Sequence, residues 1–305
     1  MNETKTAKPV ESRLRRALEG RQRAEALAGT LPPLLLHAER VASTVAQGVH
    51  GRRRVGQGET FWQYRDYQPG DPTPRIDWRR SAKSDRVFVR ETEWEAAQSV
   101  WFWRDPSASM DWSSNRALPT KRERAELLTL SLMVLMIRAG EHVTLLNSGM
   151  APSAGQGTLG RLAMTLSREA RGGDSLPPAR PLPRHAQVIM FGDFLAPLDQ
   201  LARRLQAFTE RGVNGHLIQV LDPAEEDLPY EGRVRFEGLE GEADWLLSRV
   251  GDVRAAYRRR LAAHMDGLSA MTRRTGCRIT WHRTDRSPET ALLAIYNALS
   301  ARTGP

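Results

Sequence analysis

Residues 99–110 read SVWFWRDPSASM, and residues 100–103 within them are all large and apolar. A run of β-branched and aromatic side chains is typical of a central strand that is buried on both faces. The polar loop DPSAS follows without a break, beginning at Asp105. The stretch therefore predicts a buried strand that leads directly into a loop rich in side-chain oxygens.

Beyond this stretch, strand-like runs alternate with helical stretches. The strand-like runs are HVTLLNS (142–148), VIMFGD (188–193), HLIQVLD (216–222) and CRITWHRTD (277–285), and the predicted helices lie near 120–139, 159–171, 195–211 and 252–275. Such alternation is typical of a parallel sheet covered by helices on both faces. We therefore predict an α/β fold, a doubly wound and mostly parallel sheet over residues 99–302, with short strands around 233–236.

Two further segments precede the predicted sheet domain. Residues 1–49 are predicted to form a basic helical arm, because residues 1–54 hold eleven Lys or Arg and five Glu. A solvated arm explains this charge, and binding of nucleic acid or of an anionic membrane surface is the alternative. Residues 50–98 form a separate segment that leads into the first strand.

The segment 61–95, FWQYRDYQPGDPTPRIDWRRSAKSDRVFVRETEWE, has neither helical periodicity nor strand alternation before Arg86. We predict an extended layer that covers one side of the sheet, with buried aromatics and paired Arg and Asp side chains. The functional alternative is a cationic and aromatic docking face made by Arg75, Trp78 and Arg79.

Composition limits the cellular setting and excludes some functions. Cys277 is the single cysteine, so no internal disulfide can form, and no secretory start is recognised. The apolar run 127–137 is shorter than the roughly 20 residues that span a bilayer. We expect a cytoplasmic protein in which Cys277 is a core residue.

Four aspartates end or follow the predicted strands: Asp105, Asp193, Asp222 and Asp285. The last two are interpreted as helix caps, which is the common role of Asp at such positions. The first begins DPSAS, where Asp105, Ser107 and Ser109 alternate in one loop. Alternating oxygens suit a hard cation, with Mg²⁺ expected and Mn²⁺ or Ca²⁺ as alternatives, and Asp193 is placed to complete the shell.

The order of these motifs resembles two known patterns. DPSASM followed by a buried helix, and later a strand ending in FGDF, resembles the metal-ion-dependent adhesion site of von Willebrand factor A domains, whose signature begins D-x-S-x-S. The preceding PGD and RIDW motifs resemble the signature of the bacterial family called domain of unknown function 58. The resemblance covers roughly residues 50–300.

The resemblance implies a metal-dependent protein-interaction module that binds and does not catalyse. Its ion would be held by Asp105, Ser107, Ser109 and Asp193, with Thr158 of GQGTLGRL as a fifth ligand or only a helix cap, and with one position open for a partner's carboxylate. Similar proteins are often paired with MoxR-type AAA+ ATPases in chaperone-like assembly, so such an ATPase is the implied partner. No small-molecule substrate is expected.

Two other classes of function remain as alternatives. A Mg²⁺-dependent phosphoester or phosphoryl-transfer enzyme would use Asp105 and Asp193 on the ion. A Lys and a second acid close to Asp105 would favour it, but the sequence offers Ser in those positions. GQGTLG also spells G-x-G-x-x-G, but several loop residues separate it from the strand before it, which argues against a dinucleotide site. Nucleic-acid binding through the basic arm is the third class.

Overall fold

A five-stranded parallel sheet forms the centre of the molecule. The computed structural model describes residues 33–49, 60–67, 76–84, 86–93, 99–169, 171–239, 241 and 243–300. The sheet consists of β3 (Ser99–Arg104), β4 (His142–Leu145), β5 (Gln187–Gly192), β6 (Asn214–Leu221) and β9 (Arg278–Arg283). Their order is β4-β3-β5-β6-β9, and all neighbouring pairs are parallel. This confirms the predicted α/β architecture.

Helices cover both faces of this sheet. The described residues form the helices α1 (Pro33–Val49), α2 (Trp78–Ser81), α3 (Lys121–Arg138), α4 (Gln156–Arg168), α5 (Leu198–Thr209), α6 (Pro223–Asp227), α7 (Val250–Thr275) and α8 (Pro288–Ser300), of which α1, α3, α4, α5, α7 and α8 pack on the sheet. Phe102 belongs to an apolar cluster with α1, α3, α4 and α8, whereas Trp101 and Trp103 belong to a second cluster with α5 and α7. The strict alternation along β3 is what lets one strand serve two cores. Within the described residues, no helix is both long and apolar enough to cross a membrane.

The predicted basic arm divides at residue 33. Residues 1–32 lie outside the described residues, and α1 packs into the first apolar cluster through Leu35, Val41 and Val45, which are all almost fully buried. Arg138 of α3 also donates to Ser43 Oγ at 3.3 Å. The end of the predicted arm is therefore a core helix of the sheet domain.

Two antiparallel ribbons lie outside the central sheet. Strands β1 (Thr60–Asp66) and β2 (Phe88–Glu93) pair, so the prediction that the chain is irregular before Arg86 was wrong. A ladder satisfies backbone groups whatever the side-chain pattern, which is why periodicity missed β1. Residues 68–75, which include Arg75, lie outside the described residues, and the covering role of this segment stays a prediction. Strands β7 (Val234–Phe236) and β8 (Trp245–Leu247) confirm short strands near 233–236.

The sheet has one topological switch point, between β3 and β5. The chain leaves β3 for β4 on one side and later returns to β5 on the other side. In open α/β sheets, ligands bind at the carboxyl ends of the strands where the connections diverge in this way. Asp105 follows β3 and Asp193 follows β5, so both predicted ligand loops begin at this point.

Candidate functional site

The two predicted ligand loops meet through side-chain oxygens. The Oγ atoms of Ser107 and Ser109 are 3.0 Å apart, and Ser109 Oγ donates to Asp193 Oδ2 at 2.7 Å. Ser109 and Asp193 are 84 positions apart in the chain. The structure thus brings together Asp105, Ser107, Ser109 and Asp193, as the spacing predicted.

Asp105 is fully buried at the base of its loop. Its Oδ1 accepts from the backbone N–H of Ser107 at 2.8 Å, and its own N–H donates to Phe191 O at 2.8 Å. A Cβ at Gly192 would lie 3.1 Å from both Cβ and Oδ2 of Asp105. Gly192 therefore provides the space in which the Asp105 carboxylate lies.

Arg122 fixes the backbone of the same loop. Its Nη2 donates to the carbonyl oxygens of Pro106 at 3.2 Å and Ser107 at 3.1 Å. The guanidinium also forms a two-nitrogen contact with the carboxylate of Asp111, where Nη2 and Oδ2 are 3.1 Å apart. Arg122 is nearly buried, so the loop and the 3₁₀ turn that follows it are held by one paired cation.

Arg104, the last residue of β3, holds the loop from the other side. Its side chain is completely buried, Nη1 donates to Asp105 O at 3.0 Å, and Nη2 lies 2.7 Å from Glu169 Oε2. Burial lowers the pKa of Arg104, and Glu169 opposes this shift. Glu169 is the main carboxylate that stabilises the charge of this arginine, and Asp105 adds a smaller attraction.

The second loop has a constrained backbone. Phe194 follows Asp193 with a φ of 50°, a left-handed conformation that is uncommon for a bulky residue and is concentrated at functional sites. The ring of Phe194 packs on Trp103 with centroids 6.3 Å apart. Gln219 Nε2 donates to Asp193 O at 2.6 Å, and His264 Nε2 lies 2.8 Å from Phe194 O. Packing and these contacts offset the backbone strain.

Lys121 is the component that sequence reasoning missed. It is the first residue of α3 and only 1% exposed, and its Nζ lies 2.9 Å from Asp193 Oδ2 and 2.5 Å from Glu225 Oε1. Burial would lower the pKa of Lys121, but Asp193 and Glu225 outweigh burial and raise it. Because Lys121 opens a charged helix start, KRER, its letters suggest only a solvated terminus. No spacing pattern links it to the two loops.

The two carboxylates that contact Lys121 respond to burial differently. Burial would raise the pKa of Asp193, but Lys121 and Ser109 lower it below the ordinary range. For Glu225, burial prevails and the pKa is raised. Formal charges of Asp105, Asp193, Glu225 and Lys121 sum to −3 + 1 = −2.

Thr158 does not join the group. Its Oγ1 lies 2.9 Å from Ser153 Oγ near the start of α4, whereas Arg104 contacts Leu166 O and Glu169 at the other end of that helix. Eight helical residues between positions 158 and 166 rise about 12 Å. The geometry therefore leaves Thr158 at the helix start, where its role is local.

The other predicted positions have separate environments. Asp222 caps α6, as predicted, by accepting from Ala224 N at 2.8 Å. Asp285 does not cap a helix, and instead pairs with Arg283 at 2.7 Å, because that guanidinium is the nearer donor. Trp78 is 65% exposed in α2 beside the exposed Arg79, while Arg75 lies outside the described residues. The docking-face alternative therefore stays a prediction.

The oxygen separations fit a small dication. Mg²⁺ holds oxygens at 2.0–2.1 Å in an octahedron, which separates neighbouring ligand oxygens by about 2.9 Å. The separations of 3.0 and 2.7 Å along Ser107, Ser109 and Asp193 are close to this value. The group has two carboxylates, and no cluster of three or more His, Cys, Asp or Glu suited to a metal occurs among the described residues. The hydroxyl and carboxylate oxygens of the group are of the chemical type that hard cations take as ligands.

Comparison with known proteins gives relatives without an assigned function. Uncharacterized proteins of Mycobacterium bovis and Mycobacterium tuberculosis are 27% identical over 284 residues, covering 85% of this chain and 86% of each relative. Two solved structures also match part of this chain. One, an aerotolerance-related membrane protein from Bacteroides fragilis, is 14% identical, covers 67% of this chain and 100% of its own, and has a TM-score of 0.42. The other, BatB from Bacteroides thetaiotaomicron, is 17% identical, covers 67% and 98%, and has a TM-score of 0.39.

The family comparison takes in both loops of the site. The family described as "Protein of unknown function DUF58" matches residues 63–267, which is more than half of the 305-residue chain. The matched range contains Asp105, Lys121, Asp193 and Glu225. This chain belongs to the DUF58 family.

Proposed function

We propose that this protein is an interaction module that binds a partner protein through a divalent cation at the carboxyl ends of β3 and β5. The observation that carries the proposal is the chain of oxygens from Ser107 through Ser109 to Asp193, which joins two loops at the switch point. Asp105 supplies the further carboxylate at the base of the first loop. The motifs of the two loops resemble those of the adhesion site of von Willebrand factor A domains, which supports the proposal.

The charge of the group supports a cation as its ligand. Arg104 and Arg122 each pair with a carboxylate outside the group, Glu169 and Asp111, and the formal charge of Asp105, Asp193, Glu225 and Lys121 together is −2. A dication would neutralise it, and Asp105, Ser107, Ser109 and Asp193 would hold the ion. When bound, the ion supplies an electrophilic position for an oxygen ligand from outside the chain.

We propose that the outside ligand is an Asp or Glu carboxylate on a partner protein. Leu195, two residues after Asp193, is 42% exposed and would give an apolar contact beside the charged one. A polar anchor bordered by apolar surface is the usual composition of a specific protein interface. In line with the family resemblance, the proposed energy source for assembly is a separate MoxR-type AAA+ ATPase.

Calorimetric titration with Mg²⁺ and Mn²⁺ tests the first step. Wild type is expected to bind one ion, and Asp105→Ala is expected to bind none while keeping its circular dichroism spectrum. Asp285→Ala is the matched control, since it removes a strand-end aspartate outside the group. Binding of the ion by Asp105→Ala with wild-type affinity would overturn the proposed site.

A crosslinking pull-down with a MoxR-type ATPase tests the second step. Capture is expected in Mg²⁺ and not in EDTA, and it is expected to disappear in Asp105→Ala. Capture that persists unchanged in EDTA would overturn the ion-dependent mechanism, even if the ATPase is the correct partner. A truncation that removes residues 1–32 separates this binding from electrostatic attachment through the basic arm, which salt would weaken steeply.

Lys121 and Glu225 favour a second candidate function, a Mg²⁺-dependent phosphoryl-transfer enzyme. A lysine and an additional acid beside the ligand carboxylates are components of such sites, and both are present. The ammonium is, however, occupied by two carboxylates and 1% exposed, which leaves it poorly placed for a phosphate. Turnover of generic phosphate esters with Mg²⁺ that is lost in Asp105→Ala would establish this function instead.

A further inference from the structure

The buried ammonium of Lys121 contacts the same oxygen that closes the proposed ion site. Asp193 Oδ2 accepts from Ser109 Oγ at 2.7 Å and from Lys121 Nζ at 2.9 Å. The other oxygen, Oδ1, has a long contact of 3.3 Å with Leu195 N. An ion held by Ser109 and Asp193 would therefore compete with Lys121 for a single oxygen atom.

Glu225 gives the ammonium a second place to bind. Its Oε1 is the nearer of the two partners, at 2.5 Å from Lys121 Nζ. Its other oxygen accepts from Asp222 N at 2.8 Å, and its carbonyl accepts from Tyr257 Oη at 2.6 Å. Glu225 is thus fixed by contacts that do not involve Asp193, so Lys121 can leave Asp193 without becoming an unpaired buried charge.

We propose that Lys121 sets the affinity of the site for divalent cations, by binding Asp193 in the ion-free protein and remaining on Glu225 alone when the ion is held. The inference rests on the proposed function. Lys121 acts as an internal competitor that keeps Asp193 neutralised and in place until the ion and the partner carboxylate arrive. The affinity for the cation is then lower than the four ligand residues alone would give. Occupancy of the site by the ion therefore depends on the carboxylate that the partner protein supplies.

Calorimetric titration of single and double variants with Mn²⁺ and Mg²⁺ tests this inference. Lys121→Met is expected to bind the ion at least about tenfold more tightly, since one positive charge leaves the site. Lys83→Met is the matched control, because Lys83 is an exposed lysine in the turn after α2, and it is expected to leave the affinity unchanged.

Glu225→Gln provides the opposite change. Without Glu225, Lys121 has only Asp193 as a carboxylate partner, so the ion is expected to bind at least about threefold more weakly. The double variant Lys121→Met with Glu225→Gln is expected to bind like Lys121→Met alone. If Glu225 were instead a direct ligand, its substitution would weaken binding equally with and without Lys121, and the inference would be overturned.

Thermal melting keeps the inference testable if Lys121→Met is poorly folded. The variant is expected to melt below wild type in EDTA and to recover on addition of Mn²⁺, because the ion replaces the missing positive charge. A melting temperature that Mn²⁺ leaves unchanged would overturn the inference. If wild type, Lys121→Met and Glu225→Gln bind the ion with equal affinity, only this inference is overturned. If none of the proteins tested binds the ion, the proposed function is overturned as well.

Discussion

Asp193 and Asp285 both follow strands of the same parallel sheet, yet their surroundings differ. Asp193 is buried and joins side chains from two other elements, Ser109 and Lys121. Asp285 follows the edge strand β9, keeps 28% of its side chain exposed and pairs with Arg283 two residues earlier. The difference shows that position at the switch point, and not strand-end position alone, assembles a site.

Asp222 refines this comparison because it is as deeply buried as Asp105. Each accepts a hydrogen bond from the backbone N–H two residues later, at 2.8 Å in both cases. The loop after Asp222 becomes α6, whereas the loop after Asp105 continues into the serines that reach Asp193. The extent of burial therefore does not distinguish a helix-capping aspartate from a candidate ion ligand, whereas contact with a second loop does.

The largest expected effect is the loss of Asp193. Asp193→Ala removes buried, charge-assisted hydrogen bonds from Lys121 and Ser109 while Lys121 stays paired with Glu225, and the loss is expected to cost about 3 kcal/mol. Asp285→Ala, which breaks a partly exposed pair, is expected to cost no more than about 1 kcal/mol. Urea denaturation of both variants measures the two free energies of unfolding. Equal losses would remove the distinction between the two strand ends.

Sequence pattern predicted the sheet, because the apolar runs follow the period of buried strands. The alternation of DPSAS and the strand-end position of Asp193 pointed to side chains that the structure places next to each other, while their role as ion ligands stays a prediction. Lys121 and Glu225 escaped prediction because they come from the starts of two separate helices, and Lys121 contacts Asp193 across 72 positions of the chain. Only the tertiary arrangement of α3 and α6 makes that contact.

The same limit explains the other differences. Strand β1 was missed because its pairing with β2 is set by the backbone. Helix α8 was missed because it follows the last strand, so no later strand marks it as part of the alternation. Thr158 was placed by resemblance to a motif, which carries no information on the direction of α4. Asp285 was interpreted as a cap from its position alone, although Arg283 was a closer partner.

Denaturation at two pH values distinguishes the contribution of Asp193 to stability from that of the buried histidines. Burial lowers the pKa of His216 to about 4 and that of His282 to about 4, from an ordinary 6.5. Between these values the unfolded chain gains a proton and the folded protein does not. The free energy of unfolding is therefore undiminished by these histidines above pH 6.5 and decreases as the pH falls toward 4.

The expected loss is about 2–3 kcal/mol per histidine between pH 7 and pH 4.5. Asp193 is not expected to cause this loss, because Lys121 and Ser109 outweigh burial and lower its pKa below the ordinary range. Urea denaturation at the two pH values should show a smaller loss for His216→Asn than for wild type. Identical losses would show that His216 does not titrate as its burial requires.

A smaller effect is expected at Asp222. Asp222→Ala removes the cap of α6 and the contact with Ser114 N, which is expected to cost about 1–2 kcal/mol. The affinity for Mn²⁺ should not change, because Asp222 has no contact with either serine of the ligand loop. Urea denaturation and calorimetry on the same samples measure both quantities. A loss of ion affinity as large as that of Asp105→Ala would place Asp222 in the site.

Gly192→Ala gives the smallest expected change and probes the space at the switch point itself. The added Cβ would lie 3.1 Å from Oδ2 of Asp105, which is tighter than an ordinary carbon–oxygen contact. Its distance of 3.5 Å from a ring carbon of Phe194 is an ordinary contact. The carboxylate must therefore shift by a few tenths of an ångström, and we expect about fivefold weaker binding of Mn²⁺, or about 1 kcal/mol.

Gly157→Ala is the matched control for this variant, since a Cβ there meets nothing within 4 Å and the residue lies in α4. It is expected to leave ion affinity unchanged and to raise stability slightly, because alanine is the better helix former. If Gly192→Ala binds Mn²⁺ as wild type does, the exact position of the Asp105 carboxylate does not limit binding. The site would then depend on Asp193 and the serines, and the two loops would contribute unequally.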